Sequence, residues 1–595
     1  MRYRNICTLF QERVEQNKGR PAFYVRGDGA WTPISWTEWG QQAEAAGCAL
    51  IAHGLSKGGA VCILMGNVPD WPVCDLGVIL AGGVSVGLYP TSSPEQCRYI
   101  IHHSDAEFVL VDTASQLDKI LRVRDSLPNV KKIVVLDRSV GSGIPGVVTY
   151  DQFRLLDSPQ RKNASSIRRE RSASARSEDV AMMVYTSGTT GQPKGASLSH
   201  RYVINSVESL LETIPISSSD TTFSYLPFCH VAERICGLYN RLYAGSPAYF
   251  VEDLTRLWDY MLEVKPTVFG SVPRFYERIH ARIMADLEGA PSEERERFHR
   301  VLSLGRESSR LRHRDDAIPA DLHSAYQREA PPVIEHVKSY FGGRLRIATS
   351  GGAPLPLEIQ EFFDAFGLPI LQAYGLTENV CVAFNRPDRY KYGTVGPAMP
   401  GCEVKIAEDG EILVRSQMMF SGYYKEPDKT AEVFRDGWLL TGDLGELDED
   451  GFLKITDRKK ELIITSTGKN IAPALIEGLL KEHPLISQAM VYGDGKSYLV
   501  ALITLHPTET EQYARVRGIS FDKFAHLTRK GEIVEVVRSR VQEVNARVSS
   551  TEAIKCFVIL DHDLTIEADE ITPTLKIKRT VVTERYRDLL EGLYS

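Results

Sequence analysis

From Trp36 to Leu136, helix-patterned and strand-patterned segments alternate, and this alternation restricts the fold more than any other feature of the chain. Trp36 to Gly54 carries apolar residues at helical spacing, with Ser35 placed to cap the first turn and a glycine at the end. Ala60 to Met65 (AVCILM) is an unbroken apolar run of strand length. Pro72 to Ala81 is helical again, and Val84 to Leu88 is a strand stopped before Pro90. Ala106 to Val111 and Lys131 to Leu136 extend the series. Strands joined through helices of this size build βαβ units on a parallel sheet, so the expected class is α/β.

The pattern changes elsewhere. Ser158 to Ser177 (SPQRKNASSIRRERSASARS) holds five arginines and one lysine with few apolar residues, and reads as a mobile surface connector. Asp286 to Ala330 is polar and reads as a helical excursion on the surface. After Gly437, short strands follow, and Asp448–Gly451 (DEDG) suits a tight hairpin. From about Lys460 a compact αβ segment continues, which places a domain boundary near Asp457–Lys460.

The chain has 595 residues and a formal charge of −7, which argues against a dedicated nucleic-acid binder. Ten scattered cysteines without a CxxC pair leave zinc-ribbon and thioredoxin readings unsupported and fit a reducing compartment. The N-terminus lacks a signal-peptide core, and Leu76 to Tyr89 is too short and glycine-rich to span a bilayer. The expectation is a soluble cytoplasmic protein. Peripheral membrane contact, and a monomer or a homodimer, stay open.

The strongest local signal is Tyr185–Gly195, YTSGTTGQPKG. Thr186, Ser187, Thr189 and Thr190 offer hydroxyls, Gly188 and Gly191 let the backbone approach a polyanion, and Lys194 adds charge. Such a composition suits a triphosphate. It is not a Walker A loop, because Gly195 follows Lys194 where Ser or Thr is needed. Further strings are Thr349–Pro354 (TSGGAP), Gln372–Asn379 (QAYGLTEN), Leu440–Asp443 (LTGD), Asp457–Lys460 (DRKK), Thr467–Asn470 (TGKN) and Ile571–Arg579 (ITPTLKIKR).

These strings together resemble the adenylate-forming superfamily of acyl-CoA synthetases, peptide-synthetase adenylation domains and beetle luciferases. The likeness runs from about Thr8 to Arg587 and is nearest to the long-chain fatty acyl-CoA synthetases. It implies a large N-terminal domain, 1–457, of αβ-layered sheets with a β-barrel-like subdomain, and a small mobile α+β domain, 458–595, hinged near Lys460. It implies ATP, Mg²⁺ and coenzyme A as the small-molecule partners of a fatty acid.

Residue by residue, the resemblance gives Thr186–Gly191 and Lys194 to the phosphates, and Gly351, Gly352, Ala353 and Pro354 to a loop beside adenine and the acyl channel. Tyr374 packs against adenine, with Gln372, Ala373 and Gly375 as further nucleotide-binding residues, Thr377 contacts phosphate, and Glu378 helps hold Mg²⁺. Asp443 and Arg458 take the ribose, and Gly468 lines the thiol's approach. Lys576 enters the site during adenylation, with Lys578 as the alternative. His230 and Glu233, in LPFCHVAE, lie near a helix start beside the site, and Phe269–Pro273 walls the acyl channel.

The implied reaction has two steps. A carboxylate is already a nucleophile, so its attack on the α-phosphate needs alignment and charge neutralisation rather than a general base. Lys194, Glu378 through Mg²⁺, Thr377 and Lys576 are the candidates. The thiol of coenzyme A then takes the acyl group. Alternatives are an acyl-AMP ligase serving a carrier protein, a non-catalytic nucleotide- or lipid-binding regulator, and, remotely, an oxygenase of the luciferase kind.

Overall fold

The computed structural model describes residues 2–27, 29–140, 143–186, 192–314, 316–459, 461–466, 469–572 and 576–594. The alternating N-terminal segments form one seven-stranded sheet in the order Val147–Thr149, Lys132–Val135, Ala106–Val111, Ala60–Leu64, Val84–Leu88, Val180–Thr186, Lys194–Ser199. All neighbours are parallel except the last pair, where the chain turns back antiparallel. Ala60–Leu64 and Val84–Leu88 are buried along their whole length, as continuous apolar strands covered on both faces should be.

The expected helix behind Ser35 runs Trp36–Ala52, with Ser35 and Glu38 capping each other's backbone amides. It packs on the helix Asp70–Leu80, and the contact depends on missing side chains. A Cβ on Gly47 would stand 2.8 Å from the Gly77 carbonyl oxygen.

A second sheet carries Val268–Ser271, Ile347–Ser350 and Ile370–Leu376 in parallel, and Asn379–Phe384 antiparallel at its edge. The barrel-like subdomain is a five-stranded antiparallel sheet of Cys402–Ile406, Glu411–Ser416, Trp438–Leu447, Phe434–Arg435 and Leu453–Arg458. Its DEDG hairpin has Gly451 at φ +79°, and the Asp448 carboxylate accepts from the amides of Asp450 and Phe452. Towards the C-terminus, Ile486–Tyr492, Leu499–Leu505 and Ile554–Ile559 make a three-stranded sheet with the helices Pro473–Lys481 and Gly531–Asn545 in the same apolar core.

Most of the polar tract Asp286 to Ala330 is helical, within Pro273–Glu288, Ser292–His313 and Ala320–Ser339. Ser158 to Ser177 is not a mobile connector: it is the helix Ser158–Ser174. Asp157 accepts from the Gln160 amide at 2.8 Å, and Pro159 sits in the first turn. The buried face is Ala164, Arg168 and Ser172. Arg168, only 4% exposed, meets Glu44 at 3.1 Å, and Ser172 Oγ donates to the Leu80 carbonyl at 2.9 Å. Arg171 donates to the Leu55 and Ala81 carbonyls, both at 3.0 Å. The helix therefore docks through polar atoms on backbone carbonyls, which leaves no apolar period in its sequence.

Candidate active site

The antiparallel turn that ends the seven-stranded sheet carries the Gly/Thr-rich string. Thr186 pairs with Lys194 across the hairpin, while Ser187, Gly188, Thr189, Thr190 and Gly191 lie outside the described residues. Gly195 has to be small, since a Cβ there would reach 3.0 Å from the Tyr185 ring. A segment from the barrel-like sheet's side clips onto this strand. The Ser197 amide donates to the Gly422 carbonyl at 3.0 Å, the Ser421 amide to Ser197 at 2.8 Å, and the Tyr424 amide to Gly195 at 2.8 Å. Tyr423 thereby lies under Lys194, whose Nζ stands 4.7 Å from the ring centroid. The Tyr423 hydroxyl donates to Glu378 Oε1 at 2.5 Å.

Glu378 and Thr377 form the turn between Ile370–Leu376 and Asn379–Phe384. Buried Tyr202 fixes that turn by donating to the Thr377 carbonyl at 3.0 Å and accepting from the Val380 amide at 3.2 Å. Gly375 admits no side chain, because a Cβ would fall 2.0 Å from the Val380 carbonyl oxygen. Buried Gln372 ties the strand to the glycine loop: its Oε1 accepts from the Leu355 amide at 2.8 Å, and its Nε2 donates to the Thr394 carbonyl at 3.2 Å. Gly351, Gly352, Ala353 and Pro354 follow the strand Ile347–Ser350, with Gly352 at φ +82°. Ala373 and Tyr374 lie one strand over, and the Tyr374 hydroxyl donates to Asp443 Oδ2 at 2.5 Å.

Asp443 and Arg458 face each other in register on adjacent strands. Asp443 is 4% exposed, and its Oδ1 stands 3.1 Å from Arg458 Nε. Burial alone would lower the Arg458 guanidinium, but the charges of Asp443, Glu461 and Glu378 hold it above its ordinary value. Arg458 thus joins the Asp443 side of the site electrostatically to the Glu378 side.

Lys576, from the C-terminal part, is brought to the same place. Its side chain reaches solvent yet has protein around it, and burial together with the Arg458 charge pushes its ammonium below the usual lysine range while Asp443 and Glu461 oppose that. Its charge also reaches His230, whose imidazole is pushed down to about 4 by burial and by Lys576. Lys578 does not share this position; its ammonium pairs with Asp569.

As expected, His230 lies near the start of a helix, though not an α-helix. It precedes Ala232–Tyr239, an eight-residue π-helix, a form found mostly as short bulges at functional sites. Two buried ion pairs brace it: Arg234 with Asp75, and Arg241 with Glu233, which also accepts from Ser224 Oγ at 2.7 Å. Glu233 is thus occupied within the core. His230 Nδ1 accepts from the Ala232 amide at 3.1 Å, so the neutral ring carries its proton on Nε2. In the expected acyl wall, Phe269 is buried and Tyr225 stacks on it at 5.5 Å while donating to the Gly270 carbonyl at 2.9 Å.

Lys460 and Gly468 lie outside the described residues. Tyr202 and Tyr423 were not legible as site residues: they touch Thr377 and Glu378 only through the tertiary fold, and no motif separates Tyr423 from Tyr424. Among the described residues no group of three or more His, Cys, Asp or Glu side chains could hold a metal by itself. Glu378 offers one hard carboxylate, which fits an ion that keeps waters and shares a substrate's phosphate oxygens.

The comparisons agree with one another. The AMP-binding enzyme family matches residues 10–424, and the AMP-binding enzyme C-terminal domain matches residues 460–595. The chain is 34% identical to the long-chain-fatty-acid–CoA ligase FadD15 of Mycobacterium bovis, over 99% of this chain and 97% of that protein. It is 30% identical to the long-chain-fatty-acid–CoA ligase ACSBG2 of Xenopus laevis, over 99% of this chain and 84% of that one. Among solved structures, the anthranilate CoA ligase AuaEII with anthranoyl-AMP aligns with a TM-score of 0.70 at 19% identity, covering 99% of this chain and 97% of that one. ATP-bound MatB from Rhodopseudomonas palustris aligns at 0.67 and 23% identity, covering 98% and 100%. These two share the fold.

Proposed function

Because the chain belongs to the AMP-binding enzymes, in their fatty acid–CoA ligase branch, we propose that it joins a long-chain fatty acid to coenzyme A using ATP. The fatty acid carboxylate attacks the α-phosphate of ATP, a P–O bond forms, and pyrophosphate leaves. The thiol of coenzyme A then attacks the acyl carbon of the adenylate, gives its proton to solvent, and expels AMP.

The observation that most supports this reading is the Asp443–Arg458 pair at 3.1 Å within reach of the Lys576 charge, which also reaches His230. In the first step Lys576 donates to the oxygens at the α-phosphorus as charge builds there. Asp443, already oriented by Tyr374 and Arg458, accepts from the ribose hydroxyls. Lys194 takes the outer phosphates, and Thr377 supplies a hydroxyl beside them. His230 offers a neutral Nε2–H to the acyl carboxylate or the phosphate oxygens. Glu378 would hold Mg²⁺, which would supply positive charge against the phosphates.

The reading includes two units, 1–457 and 458–595, turning near Lys460 between the steps. The two family matches, ending at 424 and beginning at 460, support that division. Withdrawal of Lys576 would then open the thiol's path.

Pyrophosphate release over a graded series of straight-chain acids tests the function. Release should rise with chain length, and thioester should appear with coenzyme A. Thioester formed only on a carrier protein's phosphopantetheine would replace this reading with an acyl-AMP ligase.

A further inference from the structure

Lys194 and Glu378 have opposite charges and both contact Tyr423, the ammonium over its ring face and the carboxylate at its hydroxyl. An ammonium and a carboxylate that reach the same side chain can also reach each other, and pairing would withdraw each from the polyphosphate. They do not pair: among the described residues Lys194 meets the Tyr423 face at 4.7 Å, and Glu378 Oε1 takes the Tyr423 hydroxyl at 2.5 Å. We propose that Tyr423 is a positioning residue that keeps Lys194 and Glu378 apart, each presented to the same polyphosphate and neither neutralising the other. The inference rests on the adenylating function proposed above.

The surrounding structure holds Tyr423 firmly. It is 8% exposed, its amide donates to Thr430 Oγ1 at 2.9 Å, and its ring packs edge-on against Phe420 at 4.9 Å. The Phe420 amide donates to the Glu378 carbonyl at 2.8 Å, so the segment is tied to the backbone of the residue whose side chain it orients. Gly422, at φ +117°, turns the chain just before the ring.

The two contacts are chemically separable. The hydroxyl serves Glu378, and so the metal. The aromatic face serves Lys194, and so the nucleotide even without metal. Tyr423→Phe keeps the face and loses the hydroxyl; Tyr423→Leu loses both.

The experiment measures three quantities for wild type, Y423F and Y423L: ATP affinity in EDTA, the Mg²⁺ dependence of fatty-acid-dependent pyrophosphate exchange, and thioester formation from supplied acyl-AMP. Y423F should bind metal-free ATP like wild type, with half-saturating Mg²⁺ raised about tenfold, the scale of one hydrogen bond to a charged group. Y423L should also bind metal-free ATP about fivefold more weakly, the scale of one cation–π contact. Glu378→Gln should raise metal-free ATP affinity more in Y423L than in the wild-type background, because only in Y423L does it free Lys194 from a paired carboxylate; a purely structural role predicts the same gain in both backgrounds. Thioester formation from acyl-AMP should hold in Y423F and Y423L. Unchanged ATP and Mg²⁺ responses, or parallel loss of both half-reactions with a lowered melting temperature, would overturn the inference. If wild type showed no acid-dependent exchange, the functional reading would fail instead, and the EDTA binding arm would still judge Tyr423.

Discussion

The hydroxyl of Tyr374 donates to Oδ2 of Asp443 across 2.5 Å, joining the strand that ends in the Thr377–Glu378 turn to the strand that faces Arg458. With Arg458 on Oδ1, both carboxylate oxygens are oriented before any ribose arrives. Tyr374→Phe removes one hydrogen bond to a charged group, of about 1.5–3 kcal/mol. The KM for ATP should rise roughly tenfold or more, with kcat changed less, since an orienting contact is present before and during reaction. Steady-state kinetics at saturating acid check the split.

Three histidines should make the protein sensitive to mild acid. Burial holds His200, His230 and His506 at about 4, against an ordinary 6.5. Between those values the unfolded chain binds protons that the folded chain refuses. Stability is therefore complete above about pH 6.5 and is lost as pH falls towards 4. Thermal melting should drop steadily over that window. Replacing His200, whose Nδ1 accepts from the Ile6 amide at 3.3 Å, with Gln should flatten the slope. The rate of adenylation should show no inflection from His230 between pH 5 and 8.

Arg168→Ala tests the helix Ser158–Ser174 as a structural element. The side chain is 4% exposed and its partner Glu44 is 48% exposed, so truncation leaves a packing defect while Glu44 stays in water. A loss of about 1–3 kcal/mol in stability is expected, with KM for ATP and acid unchanged. Urea melts and kinetics on the same preparation separate the two.

The parallel sheet was legible because its strands are continuous apolar runs and its helices carry periodic faces. Ala106–Val111 and Val84–Leu88 begin and end where their residue types say they should. Ser158–Ser174 was not legible, since a face of Ala164, Arg168 and Ser172 resembles a solvated linker until the carbonyls it caps are in place. The π-helix after His230 is likewise invisible in sequence: one of the two buried ion pairs that brace it, Arg234 with Asp75, joins residues remote in the chain. In the site, the strings named the residues that would touch a nucleotide. They could not name Tyr202 and Tyr423, whose roles exist only through the residues they touch, nor separate Lys576 from Lys578, which the fold separates by giving Lys578 to Asp569.

Lys576→Ala, assayed separately in both half-reactions, bears most directly on the central claim that a C-terminal lysine completes the site for the first step alone. Adenylate formation should fall by about 10²–10³, the cost of one donor at a developing charge, while acyl-AMP supplied with coenzyme A should still yield thioester at close to the wild-type rate. An equal fall in both half-reactions, or no fall in the first, would contradict the account.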